Sequence, residues 1–391
     1  MLPMKFNMHM PTRIIFGSGR LNELHKQKLP GKKALIITSN GKSVLNNGAL
    51  VRVEAELQRA GVTFSLFNQI DANPTKSSIM AGAKSARDNG CDFLVAIGGG
   101  SVLDASKVIA MMAANEGDLW DYVHAGSGKR QSIKNEPLPV ICITTTAGTG
   151  SEVDPWGVVT NEETNEKIGV DSTSYPVISI VDPELMITVP PTFTAFQGFD
   201  ALLQVIETYI AKLANPMSDM YSLTAIESAG KFLVRAVKDG NDLEAREWMA
   251  FANTLSGVAM TISSTTAEHS LEHAMSAYHP DLPHGAGLIM ISKAFFEFFI
   301  EKHACDDRFI RIAQALGMKN ASKPEDFITV LIKMQQECGV ANLKMSDYGI
   351  TPDEFDTIAK NARETMGSLF EANPYEMTQE DCVAVLRKSY R

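Results

Sequence analysis

Strand-like runs alternate with helix-spaced segments as far as Pro190-Pro191, and beyond that dipeptide the strand signal almost vanishes. Residues 33–38 (KALIIT), 63–67, 93–97 (FLVAI) and 140–144 (VICIT) are short apolar runs of the kind that form buried strands. Between them, residues 49–60 and 78–89 have helical spacing and stop before Gly61 and Gly90, glycines suited to closing a helix. Strands separated in this way read as a parallel sheet, because parallel neighbours need a crossover long enough to hold a helix. After Pro190-Pro191, helix-compatible segments follow at 195–213, 218–236, 243–263, 267–277, 286–302, 324–338, 352–365 and 379–389. We therefore expect an α/β domain over residues 1–190 and an all-helical domain over 191–391, with a ligand cleft between them.

The length of 391 residues suits two domains, each with a substantial core. Hydrophobic residues at 45% and charged residues at 21% are ordinary globular values, which argues against a disordered or repetitive chain. The net charge of −10 argues against a nucleic-acid surface, which needs clustered Lys and Arg to displace counterions, so a small metabolite is the expected partner. The N-terminal stretch has no charged segment followed by a long apolar one, and no run of ~18 predominantly apolar residues unbroken by polar ones occurs, so neither secretion nor membrane insertion is expected. Five widely spaced cysteines, an odd number, fit a reducing cytoplasm in which thiols act as small hydrophobes.

Two loops have the chemistry of a phosphate cradle. In "FLVAIGGGSVLDASKVIAMMAAN", a strand runs into Gly98, Gly99, Gly100 and Ser101 and then into an amphipathic helix. Glycines let a ligand approach the backbone, and a helix N-terminus offers free N–H groups to a pyrophosphate. A tight turn without a ligand reads the same way. The dinucleotide fingerprint G-x-G-x-x-G is not met, since Leu103 stands where its third glycine belongs. The second loop, "ITTTAGTGSEVD", supplies the hydroxyls of Thr144, Thr145, Thr146, Thr149 and Ser151 after another buried-type strand. Both loops sit at carboxyl ends of strands, where α/β sheets bind ligands.

The helical half holds a metal-like set. Asp200 and Gln204 lie four apart in "QGFDALLQVIETYIA", and His269 and His273 repeat that spacing, which puts each pair on one helix face. His284 follows in a Pro-His-Gly turn. One carboxylate and two imidazoles suit a divalent metal such as Fe²⁺ or Zn²⁺. Other roles stay open for single members: Asp200 as a helix-dipole partner, His279 as a loop residue, and Gln204 as a packing or hydrogen-bonding group. The string His269-Ser-Leu-Glu272-His273 also spells H-x-x-E-H, the inverted zinc-peptidase pattern, but that reading leaves both loops and the Asp200 segment unexplained. On the metal reading, Glu272 is expected only to meet solvent or to pack.

Taken together, "IIFGSG" (14–19), "NPT" (73–75), "GGGSVLDASK" (98–107), "TTAGTGSEVD" (145–154), "GFDAL" (198–202) and the H-x3-H … PHG cluster resemble, in order, the iron-dependent (group III) alcohol dehydrogenase family. The resemblance spans essentially the whole chain. It implies the dehydroquinate synthase-like architecture of an NAD(P)-binding α/β domain followed by a helical metal- and substrate-binding domain. It implies interconversion of a small alcohol and its aldehyde or ketone by hydride transfer, in a homo-oligomer, a dimer or larger. It places the cofactor, NAD or NADP, on Ser39, Asp71, Gly98, Gly99, Gly100, Ser101, Asp104, Thr145, Thr146, Thr149, Ser151, Lys167 and Leu185. The metal, Fe²⁺ ahead of Zn²⁺, falls to Asp200, Gln204, His269 and His284, and proton movement to His273.

The family has a histidine where Gln204 stands, and a neutral amide is the weaker ligand for either ion. Ser39, beside Asn40-Gly41-Lys42, leaves NAD and NADP both open, with Lys42 either drawing a 2′-phosphate or simply solvated. The rivals are a same-fold enzyme acting on a polyol, hydroxy acid, or phosphorylated or phosphonate-bearing aldehyde, and a non-catalytic nucleotide-binding homologue.

Overall fold

The structure, a computed structural model, describes residues 4–391. The chain forms two compact units. One comprises Met10–Thr146 and Ser151–Thr188; the other comprises Val189–Arg391 together with Ala147–Gly150 and the described residues ahead of Met10.

The first unit is built on a six-stranded parallel sheet of β1 (Arg13–Phe16), β2 (Lys33–Ser39), β3 (Thr63–Ile70), β4 (Phe93–Gly98), β5 (Val140–Thr144) and β8 (Ile178–Val181). Its spatial order is β1-β8-β5-β4-β2-β3, and β6 (Trp156–Asn161) and β7 (Glu166–Asp171) form a separate antiparallel pair. The accompanying helices are α1 (Ser43–Asn46), α2 (Ala49–Arg59), α3 (Lys76–Asp88), α4 (Gly100–Ala114) and α5 (Leu119–Tyr122). The unbroken apolar strands follow from burial on both faces: Leu35, Ile37, Leu94 and Ala96 join one core, while Ala34, Ile36, Val95 and Ile97 join the other. From β2 the chain moves outward to β3, then returns to the other side of β2 with β4, β5 and β8. The strand order therefore reverses between β2 and β4, and a crevice at the carboxyl ends of such strands is where open α/β sheets bind ligands.

Strands β1, β6, β7 and β8 lie outside the four segments expected from sequence. RIIF and ISIV are only four residues each, too short for any periodicity to register; β1 also lies at the sheet edge, with Arg13 and Ile14 exposed.

The second unit is helical: α6 (Pro191–Ile210), α7 (Pro216–Lys238), α8 (Leu243–Ile262), α9 (Ala267–Tyr278), α10 (His284–Glu301), α11 (Asp306–Ala315), α12 (Glu325–Glu337), α13 (Phe355–Thr365), α14 (Gly367–Ala372) and α15 (Gln379–Ser389). Pro191 opens α6 at a position where its missing N–H costs nothing, and the Asn215 side chain caps α7 through the N–H groups of Met217 and Ser218. The core includes Phe199, Phe232, Phe295, Phe296, Phe299, Phe309 and Phe327, all buried, with Phe296 edge-on to Phe327 and Phe309 stacked on it. Each such side chain contributes about 1.5–3 kcal/mol of burial. This interior carries α6, α9 and α10, which bear Asp200, His269 and His284.

Candidate functional site

In the α/β unit, β2 and β4 end at the switch point with Ser39 and Gly98. Gly99 stands at the N-cap of α4 without a side-chain cap. A Cβ at Gly99 would lie 2.9 Å from Thr146 Cγ2, so only glycine lets the two loops meet. Thr145 N–H donates to the Gly98 carbonyl at 2.9 Å and ties β5's exit to β4's. Ser101 Oγ donates to the carbonyl of Ala72. The first N–H groups of α4 have no intrahelical partner and form the anion-binding end of the helix. Asp71, just past β3, accepts from Asn40 Nδ2.

Several residues expected at the cofactor hold the protein together. Asp104 and Ser151 bond to each other, and Asp104 Oδ2 also accepts the Val158 N–H at 3.0 Å. Lys167 Nζ donates to Asn73 Oδ1 at 3.1 Å. Leu185 is buried and its carbonyl accepts from Asn47. Thr149 falls in the Ala147–Gly150 stretch that belongs to the helical unit, whereas Thr145, Thr146 and Ser151 belong to the α/β unit.

In the helical unit, Asp200, His269 and His284 converge. Asp200 Oδ1 lies 3.6 Å from His269 Nε2 and 3.6 Å from His284 Nε2. Asp200 Oδ1 and His269 Nε2 are buried yet have no hydrogen-bond partner. Orphaned acceptor atoms of this kind facing one point fit a cation, because a buried polar atom left bare is costly and an ion would satisfy them together. One carboxylate oxygen and two imidazole nitrogens with positions left open is a donor set for Fe²⁺ or Zn²⁺.

Two buried glutamates orient these imidazoles. Glu207 Oε2 accepts from His269 Nδ1, while its Oε1 accepts from the Thr266 hydroxyl at 2.6 Å and from the N–H groups of Thr266 and Glu268 at 2.9 and 3.1 Å. Glu272 Oε2 accepts from His284 Nδ1. With each Nδ1 donating its proton, each Nε2 keeps a lone pair for the metal. Burial raises the carboxyl pKa of Asp200, but the charges of His284 and His269 outweigh it and hold the group well below the usual carboxylate range. Burial lowers the pKa of both imidazoles, yet Glu207 and Asp200 drive His269 well above its ordinary value, and Glu272 and Asp200 raise His284. The surroundings favour positive charge at this point.

Glu272 corrects the sequence expectation: rather than packing or meeting solvent, it is fully buried and committed to His284. That contact also disposes of the inverted-peptidase string, since His269 groups with Asp200 and His284 whereas His273 groups with Glu272 and His284. His273 Nδ1 faces Met366 Sδ at 3.0 Å, and its ring centre is 5.3 Å from that of His284. Gln204 is buried, with Nε2 3.1 Å from Ser256 Oγ. Glu207 escaped the sequence reading although its signal was present, seven residues after Asp200 and on the same helix face. Ser256 carries no local signal, because its partner is distant in sequence.

The family model for iron-containing alcohol dehydrogenase matches residues 11–183, and the model for the family's C-terminal part matches residues 194–390. The chain belongs to the iron-containing alcohol dehydrogenase family. Alcohol dehydrogenase 4 of Saccharomyces cerevisiae is 32% identical over 98% of each chain. The NAD-dependent methanol dehydrogenase of Bacillus methanolicus is 30% identical over 98% of this chain and 99% of its own. Among solved structures, an archaeal halo-thermophilic alcohol dehydrogenase from a Red Sea brine pool shares 35% identity over the full length of both chains, with a TM-score of 0.94. As an iron-containing alcohol dehydrogenase, the protein is an oxidoreductase that interconverts an alcohol and its carbonyl compound using a nicotinamide cofactor and an iron-type metal. The non-catalytic alternative and the other substrate classes are not favoured by these relatives. Among the described residues, no helix is long and apolar enough to cross a membrane.

Proposed function

We propose that Asp200, His269 and His284 hold Fe²⁺, with Zn²⁺ as a substitute, and that the loops after β4 and β5 hold NAD(P) for the oxidation of a short primary alcohol or reduction of its aldehyde. The observation that carries this reading is the convergence of three donor atoms, two of them buried without partners, on one point. When bound, such an ion acts as a Lewis acid toward the substrate oxygen, and the nicotinamide accepts or supplies the hydride.

The chain's own residues do the rest. Glu207 and Glu272 fix the two ligand rings with Nε2 toward Asp200. His273, 5% exposed, takes the hydroxyl proton on Nε2, the nitrogen turned away from Met366, and passes it toward solvent. Gly98, Gly99, Gly100 and Ser101 receive the pyrophosphate at the start of α4, with Thr145 and Thr146 supplying hydroxyls; Asp104, Ser151, Lys167 and Leu185 support the same region.

Ser39 has no charge with which to repel a 2′-phosphate, so NADP is accommodated. The Asp71 carboxylate, fixed by Asn40 beside Ser39, and the NAD dependence of the similar methanol dehydrogenase favour NAD. The family resemblance supports a homo-oligomer, and five cysteines that all remain free thiols suit a reducing cytoplasm.

The test is metal analysis of the purified protein together with an absorbance assay at the reduced-nicotinamide band. Short primary alcohols and their aldehydes are supplied with each cofactor after loading with Fe²⁺ or Zn²⁺. Turnover with NAD⁺ exceeding that with NADP⁺ is expected; no signal from any combination defeats the proposal.

A further inference from the structure

Three imidazoles of the helical unit lie side by side, with ring centres 6.4 Å apart for His269 and His273 and 5.3 Å apart for His273 and His284. Each presents Nδ1 to a fixed partner, but the partners differ in kind. Buried carboxylates, Glu207 and Glu272, face the Nδ1 atoms of His269 and His284. His273 Nδ1 instead faces the uncharged thioether of Met366, with Sδ at 3.0 Å.

Backbone hydrogen bonds hold Met366 in that place. It closes α13, where its N–H donates to the Ala362 carbonyl at 3.1 Å, and its own carbonyl accepts the Leu369 N–H at 3.0 Å as α14 begins. Helix α9, which carries His273, is tied to the same segment on either side of Met366. Ser270 Oγ donates to the Ala362 carbonyl at 2.8 Å, and Asn373 Oδ1 accepts the Ala267 N–H at 3.0 Å.

A thioether sulfur has no proton to give and can only accept, while a neutral imidazole carries one proton, on Nδ1 or on Nε2. With the proton on Nε2, the Nδ1 lone pair would be set against those of the sulfur at 3.0 Å. With the proton on Nδ1, the contact is a hydrogen bond and Nε2 keeps the lone pair. We infer that Met366 is a positioning residue for the alcohol–carbonyl reaction: its sulfur selects the Nδ1-protonated form of His273 and leaves Nε2 as the proton-accepting atom. This rests on the reading that His273 takes the hydroxyl proton. On oxidation the alcohol O–H bond breaks and an N–H bond forms at Nε2, the hydride goes to the nicotinamide, and the imidazolium then gives its Nε2 proton to solvent. Met366 exchanges no atom or electron.

The experiment pairs nitrogen NMR of the full-length protein labelled with ¹⁵N-histidine, metal-free and Zn²⁺-loaded, with steady-state kinetics at pH 7.5. It uses the wild type, Met366→Leu, Met366→Gln and His273→Gln, with circular dichroism melts to verify folding. The His273 ring signals are those lost in His273→Gln. Leucine keeps the bulk without an acceptor, and glutamine returns one in its amide oxygen. The wild type shows a protonated Nδ1. In Met366→Leu part of the population moves its proton to Nε2, and kcat falls about 10-fold with KM for the alcohol unchanged, short of the roughly 100-fold or more for removing an acid–base group outright. Met366→Gln restores both the ring signals and kcat. A wild-type His273 with a bare Nδ1, or ring signals alike in wild type and Met366→Leu, overturns the inference, and the wild-type spectrum decides the first point even if a variant does not fold. Equal losses of kcat in Met366→Leu and Met366→Gln show that only the shape of the side chain matters and also overturn it. Wild-type kcat in His273→Gln overturns the proton reading itself, whereas a slow His273→Gln beside an unaffected Met366→Leu removes only the role of Met366.

Discussion

Replacing Lys107 with Met tests how the cofactor loop is held. Lys107 lies on α4, fully buried, and its ammonium has three acceptors: Asp154 Oδ1 at 2.7 Å, the Ser151 carbonyl at 2.9 Å and the Asp154 carbonyl at 3.2 Å. Asp104 Oδ1 stands 3.8 Å away. Burial disfavours the charged amine, but Asp154 and Asp104 outweigh it and keep Lys107 protonated. Lys107→Met has similar bulk, so the cavity term is small. What is lost is the charge opposite two buried carboxylates and the donors to two carbonyls. Removing one partner of a buried pair costs about 3–5 kcal/mol, and we expect a loss in that range at pH 7.5.

Urea unfolding followed by tryptophan fluorescence reads this loss in a Trp248→Phe background, where the remaining tryptophans, Trp120 and Trp156, both belong to the α/β unit. The pH dependence gives a second check. Burial already pushes the Asp154 carboxyl up to about 6 against the pull of Lys107, and without the ammonium it rises further. A carboxyl whose folded pKa is raised destabilises fully above that pKa, and the penalty disappears as pH falls toward its ordinary 3.8. The difference between variant and wild type should therefore shrink at pH 5. Asp154→Asn in the Lys107→Met background, which keeps an acceptor for the Trp156 N–H, should recover part of the loss. A Lys107→Met protein within about 1 kcal/mol of wild type at pH 7.5, or a deficit independent of pH, refutes the reasoning.

Glu207→Gln removes the charge facing His269 Nδ1. It should lower Zn²⁺ affinity by about 10- to 100-fold in a chelator competition, and unchanged affinity would show that the carboxylate does not orient the ligand. Gly150→Ala forces a side chain onto a residue with φ of 67°, where its Cβ would sit 2.6 Å from Gly257 Cα and 2.8 Å from the Asn253 carbonyl. The left-handed conformation alone costs about 1–2 kcal/mol, so residues 147–150 should lift from α8 and lose amide-exchange protection; wild-type protection would count against that packing.

Sequence by itself determined the features that depend on near neighbours. The switch from alternating strands and helices to helices alone is a matter of periodicity, and it places the glycine turn at the end of β4. The i, i+4 spacing of Asp200 with Gln204 and of His269 with His273 likewise marks those faces before any fold is known. Four-residue strands such as β1 and β8 escaped because a pattern needs length to show.

Only tertiary structure decided what each marked side chain does. H-x-x-E-H is ambiguous as a string, and it resolves when Glu272 meets His284, twelve residues on, while His269 meets Glu207, 62 residues back. The amide of Gln204 meets Ser256, 52 residues away, and the buried charge of Lys107 depends on Asp154, 47 residues away. The reason is physical. Periodicity records which face of an element is buried, but a buried polar group must be satisfied by whichever partner the fold delivers, and that partner leaves no trace in local spacing.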